Sequence, residues 1–407
     1  MTTSPSPATP DYDVIVVGAR CAGSPTAMLL ARRGHRVLVV DRATFPSDTL
    51  STHLVHAPGV AALHRWGLLD RVTASGCPPI ERYSFDFGPV TIAGRPPGVD
   101  GAACAYGPRR IVLDQVLVEA AREAGAEVRT GFTMDELLVE DGAVVGIRGR
   151  EAGGRPVVER ARVVVGADGW HSRVARAVGA AEYHARPPLQ YSFYTYWRDL
   201  PVDGMEAVIR PQRGWSAIPT NDGLTMLVVA WPMAEAAAYK ADVEGNYLAT
   251  LRLAPEVRAR VDAATRVERF AGGAVPNLFR TPFGPGWALV GDAGYVRDPI
   301  TGQGIGDAFR DAEVATAALC SYLEGAAPYD TAMAAYQAAR DARVLPIYEF
   351  TTQLATLEGP PPEVQQFLGA IAGHPEAMDA FAGVVAGTVS PVEFFAPDTI
   401  ARLGVPA

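Results

Sequence analysis

Apolar positions along this chain follow two different periods, and the change between them divides it. Tyr12 to Val17 is a short run rich in β-branched residues that ends at Gly18, and it predicts a strand. Ala22 to Arg33 predicts a helix, with Gly34 as its stop. Val37 to Val40 predicts a second strand, closed by Asp41. Further strands are expected over Arg162 to Val165 and Trp287 to Val290, the latter followed by a helix opened by Gly302-Gln303-Gly304 and running to about Leu323. Between these last two the texture changes. Leu189 to Trp197, Glu206 to Arg210, Trp215 to Pro219 and Leu224 to Trp231 read as strands with short turns, and Asn221-Asp222-Gly223 is a strong hairpin signal. Residues 330–407 read as helices broken by Gly-Pro-Pro-Pro at 359–362.

This pattern predicts an α/β protein. A Rossmann-like domain, a parallel sheet with helices, is expected from 11–79, 105–180 and 277–325. An inserted antiparallel-sheet domain takes 80–104 and 181–276, and a helical region takes 326–407. Residues 1–10, rich in Thr, Ser and Pro, read as a disordered tail.

Strand, glycine turn, helix and a strand ending in an acid make the βαβ unit of a dinucleotide site. Gly18 permits the tight turn and Gly23 lets helix and strand pack closely. Amides along Gly18, Ala19, Ala22 and Gly23 would face a pyrophosphate, where the helix dipole favours negative charge. Asp41, with Arg42 beside it, can accept from ribose hydroxyls. Arg20 stands where the fingerprint has its second glycine. It either lies over the pyrophosphate or points to solvent. Cys21 reads as a small filler residue.

Two further segments carry the same chemistry. Gly166-Ala167-Asp168-Gly169 with Ser172 and Val174 follows one strand. Gly291-Asp292, Pro299 and Gly302-Gln303-Gly304-Ile305 follow another. There a carboxylate at a strand end can hold ribityl hydroxyls, and amides at the helix start can hold flavin N1 and the C2 carbonyl. Pro299 stiffens the loop between. With Arg110, Leu113 and Leu117 as an R-x-x-L-x-x-x-L helix, these motifs resemble the para-hydroxybenzoate hydroxylase-like flavoproteins. Those are FAD monooxygenases, related to halogenases and geranylgeranyl reductases. The resemblance implies FAD, a cofactor contact from Arg110 and a supporting role for Asp168. Two positions depart from it: Ala175 replaces an arginine in the segment associated with NAD(P)H, and Tyr295 replaces a histidine.

Composition narrows the picture further. The net charge of −9 argues against nucleic acid as a partner and is better read as a solubility feature. No apolar run approaches the roughly 18 residues of a membrane span. The four cysteines form no C-x-x-C pair, which excludes a dithiol redox centre of the usual spacing and a Cys-based zinc site. With no signal peptide pattern, a reducing cytoplasm is expected. Lys240 is the only lysine.

The resemblance also implies that the inserted sheet covers the reactive edge of the flavin. Alternation puts Tyr194 and Tyr196 on one face and Tyr191, Phe193 and Trp197 on the other, without saying which face meets substrate. Tyr194, Tyr196, Trp215 and Met226 are the candidate substrate contacts, and the aromatics favour an aromatic or polycyclic substrate. The loop Pro46 to His53 should approach the flavin, with His53 as a candidate acid–base group. His53, His56 and His64 do not suggest a metal site, because no acid or cysteine completes the set.

The expected reaction is monooxygenation. NAD(P)H, or a partner flavin reductase, supplies electrons to FAD; O2 adds at C4a; and the distal oxygen of the hydroperoxide passes to substrate in aromatic catabolism or secondary metabolism. A halogenase is disfavoured. That class relies on an N-terminal lysine and W-x-W-x-I-P, whereas this chain has Gly214 and Ser216 before Ile218-Pro219. A geranylgeranyl-reductase-like enzyme and a non-enzymatic flavin scaffold are the other readings. Oligomeric state is left open.

Overall fold

The computed structural model describes residues 10–402, so the expected tail, apart from Pro10, lies outside the described residues. Strands Tyr12–Val17, Val37–Asp41, Glu127–Thr130, Pro156–Gly166 and Trp287–Leu289 form a parallel sheet. Tyr12–Val17 lies centrally, flanked by Val37–Asp41 and Pro156–Gly166, with Val14 beside both Val37 and Val163. Both faces are covered, which is why Val14 to Val17 and Val37 to Val40 are continuous apolar runs rather than alternating ones. Helices Gly23–Arg32, Arg110–Glu123 and Gly304–Leu323 pack on one side. The hairpin Thr133–Glu140 and Ala143–Arg150 extends the sheet antiparallel from Pro156–Gly166.

The second sheet contains Gln190–Arg198, Met205–Arg210, Arg213–Pro219 and Leu224–Pro232, each within two residues of expectation. Their pairings are antiparallel. At Asn221-Asp222-Gly223 the chain turns with Asp222 and Gly223 at φ 62° and 65°, the left-handed geometry that this signal specifies. Tyr83–Asp86 joins the sheet by a parallel pairing with Met205–Arg210, and Thr91–Gly94 pairs beyond it. Such long-range pairing leaves no local signal in the sequence.

The C-terminal helices have two jobs. Tyr329–Leu354, 26 residues long, runs beneath the Trp287–Leu289 strand. The Tyr329 hydroxyl donates to Trp287 O at 2.5 Å, the Tyr336 hydroxyl to Leu289 O at 2.9 Å, and Arg340 Nη1 to Gly294 O at 3.1 Å. Pro362–Ile371 and Pro375–Ala386 instead close the core of the second sheet, where Leu368, Ile371, Phe381 and Val384 meet Tyr83, Phe85 and Met226. Phe381 stands edge-on to Phe85 at 5.4 Å. Phe381→Ala should therefore cost about 3–5 kcal/mol of unfolding free energy, read from urea denaturation, because the fixed sheet beneath it cannot collapse into the gap.

Candidate active site

The first and second motifs meet through backbone. Ala167 N donates to Val17 O and Gly18 N to Val40 O, both at 2.8 Å. Gly18 has φ +107°, and a Cβ there would lie 2.4 Å from Ala167 O; a Cβ on Gly23 would lie 1.8 Å from Gly18 O. No other residue fits either position. Ala19 and Ala22 are buried in the loop, and helix Gly23–Arg32 begins without a side-chain cap. Asp41 Oδ2 accepts from Ala19 N at 2.8 Å, so the carboxylate is aimed at the loop, while Arg42 is exposed.

Arg20 adopts neither expected position. Its guanidinium is ion-paired with Asp114, donates to Ser47 Oγ at 2.9 Å and lies over the Phe45 ring. Asp114 is fully buried and also receives Arg110, from Nε at 3.0 Å and Nη2 at 2.9 Å. Arg110 is thus an interior residue at the cleft, not a surface one. Asp114, which sequence reasoning missed, is four residues after Arg110, a spacing that could have revealed it.

The third motif lies beside the first. Gly291 has φ +56°, and a Cβ on it would meet Ala22 Cβ at 2.7 Å. Gly302 is left-handed at φ +65° after the short turn Pro299–Thr301. Helix Gly304–Leu323 then begins uncapped, and Gly304 and Gly306 border open space. Asp292 keeps an accessible carboxylate although protein surrounds it, as expected of a side chain lining a deep cleft. Burial pushes its pKa up to about 6, opposed by Arg110. Gln303 spends its side chain inside the protein, accepting from Arg297 Nη2 at 2.8 Å and donating to Val385 O at 2.6 Å. Ile305 is buried. Beneath lie the buried ion pair Arg297–Asp307 and the Asp311 carboxylate, which accepts from Gly291 N at 3.1 Å. Nothing in the local sequence marks these three residues.

Asp168 and Tyr295 are both engaged inside the protein. Asp168 braces the start of the short helix Arg173–Ala177, whose cap is Ser172, accepting from Ser172 Oγ at 2.5 Å and Arg173 N at 2.6 Å, so its carboxylate is occupied by the turn it holds. Tyr295 points away into an aromatic core, with its ring 4.6 Å from Phe279.

Beside the second sheet His53 is fully buried with φ +61°, a conformation rare outside glycine. Its Nε2 shares a hydrogen bond with the Tyr196 hydroxyl, and the rings stack at 5.7 Å. Nδ1 is buried without a partner among the described residues. Burial, reinforced by Arg110 and Arg109 against Asp48, lowers the imidazole pKa to about 3. Arg109 lies 4.6 Å above the Tyr196 ring. Tyr194, Tyr196 and Met226 share one face of the sheet. Trp215 does not belong with them. It packs on the opposite face with Trp197, Leu227 and Trp231, because strand alternation turns it toward Tyr239 and Tyr247 in the helices covering that side.

Among the described residues, His35, Cys320 and Glu324 bring three metal-ligand atoms within 4.8 Å, a grouping that linear spacing concealed. It lies at the ends of the Gly23–Arg32 and Gly304–Leu323 helices far from the cleft, and Arg33 holds Glu324 with two hydrogen bonds. No described helix is long and apolar enough to cross a membrane.

Two uncapped helix starts, two carboxylates and glycines where a Cβ would collide make a cradle that fits FAD. Fold and cradle together define an FAD-dependent oxidoreductase. The chain belongs to the FAD binding domain family, which matches residues 11–351. It is 28% identical to the FAD-dependent monooxygenase ntnJ of Nectria sp. over 373 residues, 84% of each chain. It is 30% identical to kynurenine 3-monooxygenase of Salinispora tropica over 367 residues, 80% of this chain and 76% of that one. Among solved structures, Pseudomonas aeruginosa PqsL in complex with 2-aminobenzoylacetate superposes with a TM-score of 0.75 at 27% identity, covering 88% of this chain and 98% of PqsL. The myxobacterial chondrochloren halogenase CndH shares the fold, with a TM-score of 0.79 at 23% identity over 96% of this chain and 95% of that one.

The raised pKa of Asp292 carries a stability consequence. The folded protein retains a proton there that the unfolded chain has released above about pH 4. The associated stabilisation is complete below about pH 4 and is lost as pH rises through 6. In protein freed of FAD, Asp292→Asn should raise Tm relative to wild type at pH 8 and not at pH 4; an equal shift at both would assign the carboxyl an ordinary pKa.

Proposed function

We propose that this protein is a monooxygenase that uses NAD(P)H and O2 to hydroxylate an aromatic or polycyclic small molecule. Bound FAD would supply electron transfer and oxygen activation; the protein supplies position, exclusion of water and electrostatics. Gly18, Ala19, Ala22 and Gly23 would hold the pyrophosphate, Asp41 the adenosine ribose and Asp292 the ribityl chain. The start of helix Gly304–Leu323 would hold the flavin edge.

The observation that carries the substrate class is the asymmetry of the second sheet. Its Trp215 face is closed by helices. On the other face Ser192, Tyr194, Val228, Ser216 and Gly214 are only partly buried although they sit mid-strand. Val228 pairs with both Tyr194 and Ser216, so a large aromatic and small residues lie side by side. Partly buried Phe350, Val364 and Phe367 of the C-terminal helices belong to the same apolar cluster. A flat apolar ligand suits such a slot. His53 and Tyr196 form its polar end. Burial keeps both neutral at pH 7, so they would offer the substrate a hydrogen-bonding pair and not a charge.

Gly214 and Ser216 also bear on the halogenase reading. They occupy this same face where halogenases have tryptophans, and no lysine precedes Lys240. In this reading the small side chains would make room for substrate.

The deciding assay follows NAD(P)H consumption, oxygen uptake and product mass together, over phenols and polycyclic aromatics. Substrate-stimulated oxidation with a gain of one oxygen is expected. A halogenated product, or anaerobic reoxidation of flavin by an unsaturated substrate, would overturn the reading. Flavin that no nicotinamide reduces would call for a partner reductase in the assay; with one supplied, absence of any oxygenated product would sink the proposal. Ser216→Trp should fill the slot, leaving the flavin spectrum intact and lowering kcat/KM at least about tenfold.

A further inference from the structure

Arg20 is anomalous. It stands where the dinucleotide fingerprint has glycine, yet its side chain is turned away from the turn it interrupts. One side of the guanidinium meets Asp114. The other reaches Ser47 Oγ at 2.9 Å, with longer approaches to Ser47 O and Asp48 O at 3.4 Å. Ser47 and Asp48 belong to the segment 42–53, which contains no helix or strand. That segment starts immediately after Asp41 and ends at His53, so both its ends lie in the site.

Few contacts hold its shape. Arg109 joins Asp48 at 3.1 Å to Glu268, in a loop at the edge of the second sheet, at 2.7 Å. His53 N donates to Ser51 Oγ at 3.0 Å, and His53 itself sits at a left-handed φ that only surrounding contacts can maintain. Arg20 is the tie from this segment back to the nucleotide-binding loop.

We propose that Arg20 is a positioning residue: it latches the 42–53 segment to the dinucleotide loop and thereby sets His53 against Tyr196. The consequence for catalysis rests on the functional reading above; the latch itself does not. Removing Arg20 leaves Asp114 neutralised by Arg110, so no buried charge is stranded and the fold should survive.

The test uses FAD-loaded protein with Arg20→Gly, Arg20→Lys and Ser47→Ala, reading hydrogen exchange over 42–53, FAD affinity and product formed per NAD(P)H. Arg20→Gly should speed exchange across 42–53 and lower the product yield several-fold, while changing the Kd for FAD by less than about threefold. Lysine, which reaches Asp114 but cannot fork to Ser47, should recover only part of the yield. Ser47→Ala should reproduce the faster exchange. Unchanged exchange with FAD affinity lost by more than about tenfold would make Arg20 a cofactor ligand and overturn the latch. If wild type turns over no substrate, the functional reading fails, and exchange and affinity still decide on Arg20.

Discussion

The site depends on three glycines that neighbours approach closely, backbone at Gly18 and Gly23 and the Ala22 methyl at Gly291. Gly18 lies against Ala167, Gly23 against Gly18 and Gly291 against Ala22, each closer than any Cβ permits. These contacts bring three strands of the parallel sheet to a common edge and point two helix starts into one cleft. The amides at the contacts themselves are engaged within the protein, and it is the uncapped first turns of the two helices that present amides to a ligand. Their dipoles then favour the negative charge that a pyrophosphate and a reduced flavin carry.

Such an arrangement needs support, because uncapped helix ends and an enclosed carboxylate are unfavourable by themselves. The support comes from behind. Tyr329, Tyr336 and Arg340 of one long C-terminal helix take up carbonyls along 287–294. Asp311 fixes Gly291 N, with its pKa raised to about 7 by burial against the pull of Arg340. Arg297 and Asp307 pair beneath the turn into helix Gly304–Leu323. The C-terminal region, which carries no cofactor motif, therefore belongs to the cofactor site as its foundation, and its last helices also close the core of the second sheet.

The second sheet expresses a division of labour between its faces. One is sealed by Trp197, Trp215 and Trp231 against helices and gives rigidity. The other retains partly accessible positions next to His53 and Tyr196. Relatives with the same fold include monooxygenases and a halogenase. A shared fold does not fix the chemistry, which on the proposed reading is set at positions of the open face such as 214 and 216.

Much of this was legible in the sequence where the cause is local. The strand Tyr12–Val17, the helix stopped at Gly34, the turn at Asp222-Gly223 and the helix opened at Gly304 follow from period, glycine conformation and turn chemistry. The cofactor class followed from three motifs whose glycines answer to one ligand. Tertiary structure alone decided what depends on distant partners. It turned Arg20 onto Asp114 and Ser47, occupied Asp168 with a helix start, sent Tyr295 into an aromatic core and placed Trp215 on the sealed face. It also assembled Arg297, Asp307 and Asp311, and joined Tyr83–Asp86 to the sheet in parallel. A side chain's neighbours across a packed core are set by how elements dock, and a single sequence encodes that docking only through all of its contacts at once.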